Sequence, residues 1–153
     1  CRSDQYIARG WLPSRAPVIL GHEVAGVVAE VGGGVHDLAV GDHVTLDPWF
    51  PLPAAAAARV DPDAVARTML DARKEAMFGA QRDGAFAEYL LAPRRQWHRV
   101  PATLSWQRAA FVEPIAAALC VAQDPVVQAS GHRPRAVIAG SGRIAQLTQR
   151  ILA

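Results

Sequence analysis

Gly26-Val27-Val28-Ala29-Glu30-Val31-Gly32-Gly33-Gly34-Val35-His36-Asp37-Leu38-Ala39-Val40-Gly41-Asp42-His43-Val44-Thr45-Leu46 is a run of short β-branched segments cut by glycines and stopped by Asp47-Pro48. Val24, Val27, Val28 and Val31 precede the glycine triplet, and His43 to Leu46 alternates polar with apolar residues. Strands this short with glycine turns between them read as a small antiparallel β-domain.

Upstream of that run, Pro17-Val18-Ile19-Leu20-Gly21-His22-Glu23 sets an imidazole beside a carboxylate after a short apolar stretch. Residues 1 to 17 carry Gly10, Pro13 and Pro17 and read as a short helical turn followed by loop. Downstream, Pro48, Pro51 and Pro53 lead into Ala54 to Ala58 and then Asp61-Pro62-Asp63, a helix cap with proline near the first position. Val65, Met69, Ala72 and Ala76 follow at helical spacing, so one inserted helix is expected within about 54–78. Alternation over Gly84 to Leu91 predicts a further strand. Ser105 to Ala110 and Ile115 to Gln123 read as two short helices of a connection between domains.

The C-terminal stretch changes character again. Arg135-Ala136-Val137-Ile138-Ala139 has the look of a buried strand, followed by Gly140-Ser141-Gly142-Arg143-Ile144-Ala145 and a helical spacing of Ile144, Leu147 and Ile151. In this order the glycines permit a tight turn, and the free amides of the helix start attract a pyrophosphate. Gly140, Gly142 and Ala145 are therefore expected to bind a dinucleotide, NAD or NADP. The acidic residue that would read the ribose is expected beyond Ala153, so the pattern does not separate the two. The chain opens on Cys1 and ends inside a helical pattern, and both ends read as cut from a longer protein.

Composition excludes several classes. Net charge is only +2, with no basic run interleaved with aromatics, so nucleic acid is not an expected partner. The most apolar stretch, Ala109 to Ala122, is interrupted by Glu113 and Pro114 and is too short to span a bilayer, so no membrane partner is expected either. Hydrophobic residues make up 51% of the chain, but many are alanines that bury little area. Two cysteines in 153 residues do not make a disulfide scaffold; a reducing, cytoplasmic setting is expected.

The residues with chemistry to offer are few. Cys1 in Cys1-Arg2-Ser3-Asp4, His22 with Glu23, and Glu113 in Phe111-Val112-Glu113-Pro114 together supply thiolate, imidazole and carboxylate, donors that suit zinc. His36, His43, His98 and His132 lack partners at ligand spacing, and Cys120 reads as a core residue.

These stretches, with Gly10, Val40-Gly41-Asp42-His43-Val44, Gly84-Ala85-Phe86-Ala87-Glu88-Tyr89 and the Gly140 turn, resemble in order and spacing the zinc-dependent medium-chain alcohol and polyol dehydrogenases. The resemblance covers nearly the whole chain except residues 48 to 82. It implies a mixed β and α/β fold: a GroES-like β-barrel catalytic domain over 1–115, with the helical insert about 54–78. A linker helix and the first βα unit of a truncated Rossmann domain would follow over 116–153. It implies one catalytic zinc, with Cys1 and His22 as ligands, Glu113 at the third, carboxylate position, and Glu23 able to exchange into the metal shell. Asp4 would orient the imidazole, Ser3 would relay the substrate proton, and Arg2 would contact the cofactor pyrophosphate. No structural zinc is expected, because residues 48 to 82 contain no cysteine.

The implied activity is hydride transfer between a small-molecule alcohol, a polyol or amino-sugar-like secondary alcohol, and NAD(P), in a full-length homo-oligomer. A zinc-free reductase of the same fold and a non-catalytic binding protein that kept the barrel are the alternatives.

Overall fold

The computed structural model describes residues 1–51, 75–124, 127 and 136–153. The order is α1 (Arg2–Ala8), β1 (Ala25–Val27), β2 (His43–Leu46), β3 (Trp49–Pro51), β4 (Glu75–Met77), β5 (Trp97–Arg99), α2 (Trp106–Ala109), α3 (Val112–Ala122) and α4 (Arg143–Leu152). It is a mixed β and α/β arrangement, as expected.

Strand β2 is the centre of a three-stranded antiparallel sheet ordered β1-β2-β5, with Ala25 opposite Thr45 and Leu46 opposite Trp97. Its Val44, Thr45 and Leu46 are all buried, so both faces are covered. Thr45 tolerates this because its hydroxyl donates to the Val24 carbonyl at 2.9 Å, which offsets the cost of burying a polar group. Strands β3 and β4 form a second antiparallel pair, Trp49 opposite Met77.

Two apolar clusters fasten these pieces. Leu46, Phe50, Ala76 and Phe78 form one, with Val24, Leu90, Ala92 and Trp97 packed against it. The second joins Ile7 to Met77 and Ala80, with Leu12, Leu20 and Trp49 around them. Ile7 is thus the anchor of α1. Burying such a side chain contributes roughly 1.5–3 kcal/mol, and it seats the last turn of α1 against the β3–β4 pair.

Three expectations are corrected. The inserted helix lies outside the described residues up to position 74, but its expected end does not: Glu75–Met77 is strand β4, and Ala76 is fully buried in it. Pairing with β3 and packing between Phe50 and Phe78 override a helical spacing that intrinsic propensity supports only weakly. Gly84 to Leu91 is not a strand. The N–H groups of Gly84, Ala85 and Phe86 donate to the carbonyls of Ile19, Gly21 and Leu20 at 2.7, 2.9 and 2.9 Å, a backbone crossing in place of a ladder. Phe86, Tyr89 and Leu91 are left exposed. The stretch 136–140 forms no strand either, and Val137 is exposed; among the described residues no strand lies beside it to accept a ladder.

The helices near the C-terminus form much as expected. Helix α3 runs through the expected domain boundary at 115/116, and α4 packs along it. No helix among the described residues is long and apolar enough to cross a membrane.

Candidate metal centre

The site is built from two short pieces held together by hydrogen bonds. Cys1 caps α1, and Ser3 and Asp4 sit in its first turn. Asp4 is buried, and its Oδ2 accepts from the Cys1 main-chain nitrogen at 2.7 Å, which ties the helix start to its own third residue. The other oxygen, Oδ1, accepts the Gly21 N–H at 2.8 Å and so fixes the second piece.

Gly21 lies at φ +98°, a conformation that disfavours side chains, and turns the chain so that the next residue, His22, points inward. A Cβ on Gly21 would fall 2.5 Å from the Phe86 ring, and one on Gly84 would fall 2.1 Å from the Gly21 carbonyl oxygen. The histidine is therefore presented from a backbone crossing that only glycines allow.

His22 is 3% exposed. Its Nδ1 lies 3.4 Å from Asp4 Oδ1 but makes no hydrogen bond there, and its Nε2 lies 3.5 Å from Ser3 Oγ. Donor atoms of Cys1, His22 and Glu23 all lie within 4.8 Å of one another. Thiol, imidazole and carboxylate at that spacing, with the Asp4 carboxylate beside Nδ1 of the imidazole, fit a zinc ion.

Glu113, in the first turn of α3, lies outside that three-residue cluster. Burial pushes its carboxyl above the ordinary carboxylate range and the Glu23 charge adds to this, while His22 and Arg143 pull the other way. It thus feels the cluster electrostatically without joining it. For Asp4, burial acts to raise the pKa, but hydrogen bonds from the Cys1 nitrogen and Gly21, and the nearby His22, outweigh it and hold the carboxyl below its ordinary value. Asp4 is accordingly a carboxylate at neutral pH, and its stabilisation is lost as pH falls below about 3.8 through that lowered value.

The expected cofactor residues are placed less closely. Arg2 is exposed. Gly140, at φ +129°, and Gly142, which caps α4, form the turn, and Gly140, Ser141, Ala145 and Gln146 line a shallow groove.

One residue was not singled out by sequence as a partner of the metal cluster. Arg143, the first residue of α4, grips both oxygens of Glu23, with Nη2 to Oε1 at 2.5 Å and Nη1 to Oε2 at 3.1 Å, from 120 positions away. Its guanidinium also lies 5.5 Å from the centre of the Phe111 ring. No local signal marks such a pair; in the sequence Arg143 is distinguished only by its place in the glycine turn.

Replacing Asp4 by asparagine keeps the size but sets an amide against one of the two main-chain donors. Stability should fall by about 1–3 kcal/mol, and zinc affinity by about tenfold to a hundredfold. Chemical denaturation and chelator competition measure the two.

Residues 1–102 match the family model of the alcohol dehydrogenase GroES-like domain. The chain is 35% identical over 116 residues to the sorbitol dehydrogenase of Halalkalibacterium halodurans, covering 76% of this chain and 32% of that enzyme. It therefore spans about a third of the length of that relative. Among solved structures, a candidate zinc-binding dehydrogenase of Sinorhizobium meliloti 1021 bound to NADP superposes with a TM-score of 0.75 at 36% identity, over 99% of this chain and 42% of that one. The galactitol-1-phosphate dehydrogenase of Escherichia coli gives 0.75 at 29%, over 99% and 41%.

Proposed function

The chain belongs to the zinc-dependent medium-chain alcohol and polyol dehydrogenases, and on that premise we propose that the whole protein moves a hydride between a secondary alcohol and NAD(P). The observation that carries this reading is the convergence of Cys1, His22 and Glu23 donors within 4.8 Å, with Asp4 behind the imidazole. A polyol or a related sugar alcohol is the substrate class, a choice supported by the relatives that are sorbitol and galactitol-1-phosphate dehydrogenases.

Cys1 and His22 hold the zinc, Glu113 offers the third, carboxylate position from the start of α3, and Glu23 is able to exchange into the metal shell. When bound, zinc supplies a Lewis acid that makes a substrate hydroxyl more acidic, and the nicotinamide supplies the hydride acceptor. Asp4 faces the imidazole on its Nδ1 side, which leaves Nε2 on the far side, toward Ser3. Ser3 Oγ takes the substrate hydroxyl proton and passes it outward, a role suited to a half-buried hydroxyl beside the cluster. Gly140, Gly142 and Ala145 receive the dinucleotide, with Arg2 as a further cation for its phosphates. A cytoplasmic setting, in which Cys1 stays reduced, and a homo-oligomeric whole protein complete the reading.

A zinc-free reductase or a non-catalytic remnant would leave the converging donors without a role. Elemental analysis of the whole protein, paired with NAD(P)-linked oxidation of sorbitol and other secondary polyols, tests the proposal. One zinc per chain and oxidation that a chelator abolishes are expected. Undiminished turnover by zinc-free protein would overturn it.

A further inference from the structure

Glu23 stands where two cationic partners compete for one carboxylate. It lies within the Cys1 and His22 cluster, yet both its oxygens are already engaged by the Arg143 fork. Bidentate guanidinium–carboxylate pairs are strong and directional because two parallel N–H groups match two oxygens. This pair is also partly withdrawn from water: the Glu23 side chain is 16% exposed and that of Arg143 39%. Its two-point geometry is what sets it apart from an ordinary surface ion pair. The Phe111 ring beneath the guanidinium holds it in place on one side, and the cap of α4 fixes its backbone on the other.

Resting on the metal reading above, we infer that Arg143 is a positioning residue that clasps Glu23 away from the metal shell, so that Glu23 either pairs with Arg143 or ligates zinc. The clasp also links the two halves of the site. Arg143 follows Gly142 directly in the glycine turn, so Glu23 joins the β-domain to the start of α4. By linkage, whatever draws Glu23 onto the metal loosens the hold on α4, and whatever draws Arg143 away from Glu23 strengthens metal binding by the same factor.

Zinc affinity of the whole protein, measured by competition with a chromophoric chelator, tests this. Arg143→Ala should raise the affinity roughly tenfold, because the Glu23 carboxylate no longer has to leave the guanidinium to reach the metal; tenfold corresponds to about 1.4 kcal/mol. Arg143→Lys, which keeps the charge but not the fork, should give a smaller gain, and it serves if the alanine variant does not fold. In a Glu23→Gln background the Arg143→Ala gain should shrink to under about twofold, because no carboxylate remains to be released. Unchanged or weakened affinity in Arg143→Ala overturns the clasp and leaves the metal reading intact. A gain undiminished in Glu23→Gln overturns it too, since loss of a nearby positive charge would then account for everything. Failure of the wild type to bind zinc overturns both.

Discussion

Replacing His22 by alanine is expected to strip zinc from the whole protein and to lower alcohol turnover by about a thousandfold or more. The imidazole is the most deeply buried donor of the cluster, and no other histidine is grouped with Cys1 and Glu23 among the described residues. A Lewis acid contributes several kcal/mol to a reaction of this kind, and each 1.36 kcal/mol is a factor of ten in rate. The substitution also removes the partner that Asp4 faces, leaving a buried carboxylate with only its two main-chain donors. A modest loss of stability should accompany the loss of metal. Elemental analysis and steady-state kinetics check both parts, and a melting curve shows that the variant is folded. Retention of full zinc content by His22→Ala would remove His22 from the ligand set.

The second large effect is predicted away from the donors, at Gly84. A Cβ there would stand 2.1 Å from the Gly21 carbonyl oxygen, 2.7 Å from the Gly79 Cα and 2.8 Å from the Leu20 carbonyl oxygen. All three are backbone atoms with no freedom to step aside, unlike the tip of a flexible side chain. Gly84→Ala should therefore cost about 3 kcal/mol or more, at or above the upper end of ordinary overpacking. Because the atoms that must move belong to Leu20 and Gly21, zinc affinity should fall with stability. Gly34→Ala is the control: its Cβ would meet nothing within 4 Å, and its cost should stay within about 1 kcal/mol. Urea denaturation of the two variants separates them. Equal stabilities would contradict the close crossing of 84–86 with 19–21.

The contrast between His22 and Gly84 shows what the sequence made legible. Cys1, His22 and Glu23 stand out by residue type, Asp4 only through the resemblance, and local rules predict the turn of α1, strand β2 and helix α4. The three elements rest on neighbours close in the chain. Gly84 to Leu91 alternates like a strand, but alternation says nothing of whether a partner strand lies alongside, and the backbone instead spends its donors on residues 19–21. The stretch 136–140 carries the apolar character of a strand for the same local reason, and no ladder forms there. Ala76 fits a helical stripe until β3, more than twenty positions earlier, claims it. Arg143 and Glu23 are the extreme case, since nothing local to either residue announces a pair between them. Glu113 takes the third, carboxylate position only through the resemblance; in the structure it lies in the first turn of α3, outside the Cys1, His22 and Glu23 cluster, where burial raises its carboxyl pKa.

The most direct test of the account is zinc K-edge absorption of the whole protein, read for the atoms around the metal. A single sulfur at about 2.3 Å is expected beside nitrogen and oxygen donors at about 2.0–2.2 Å, and Cys1→Ser should remove that sulfur alone. A shell of four sulfurs, or one left unchanged by Cys1→Ser, would contradict a metal centre built on Cys1, His22 and Glu23.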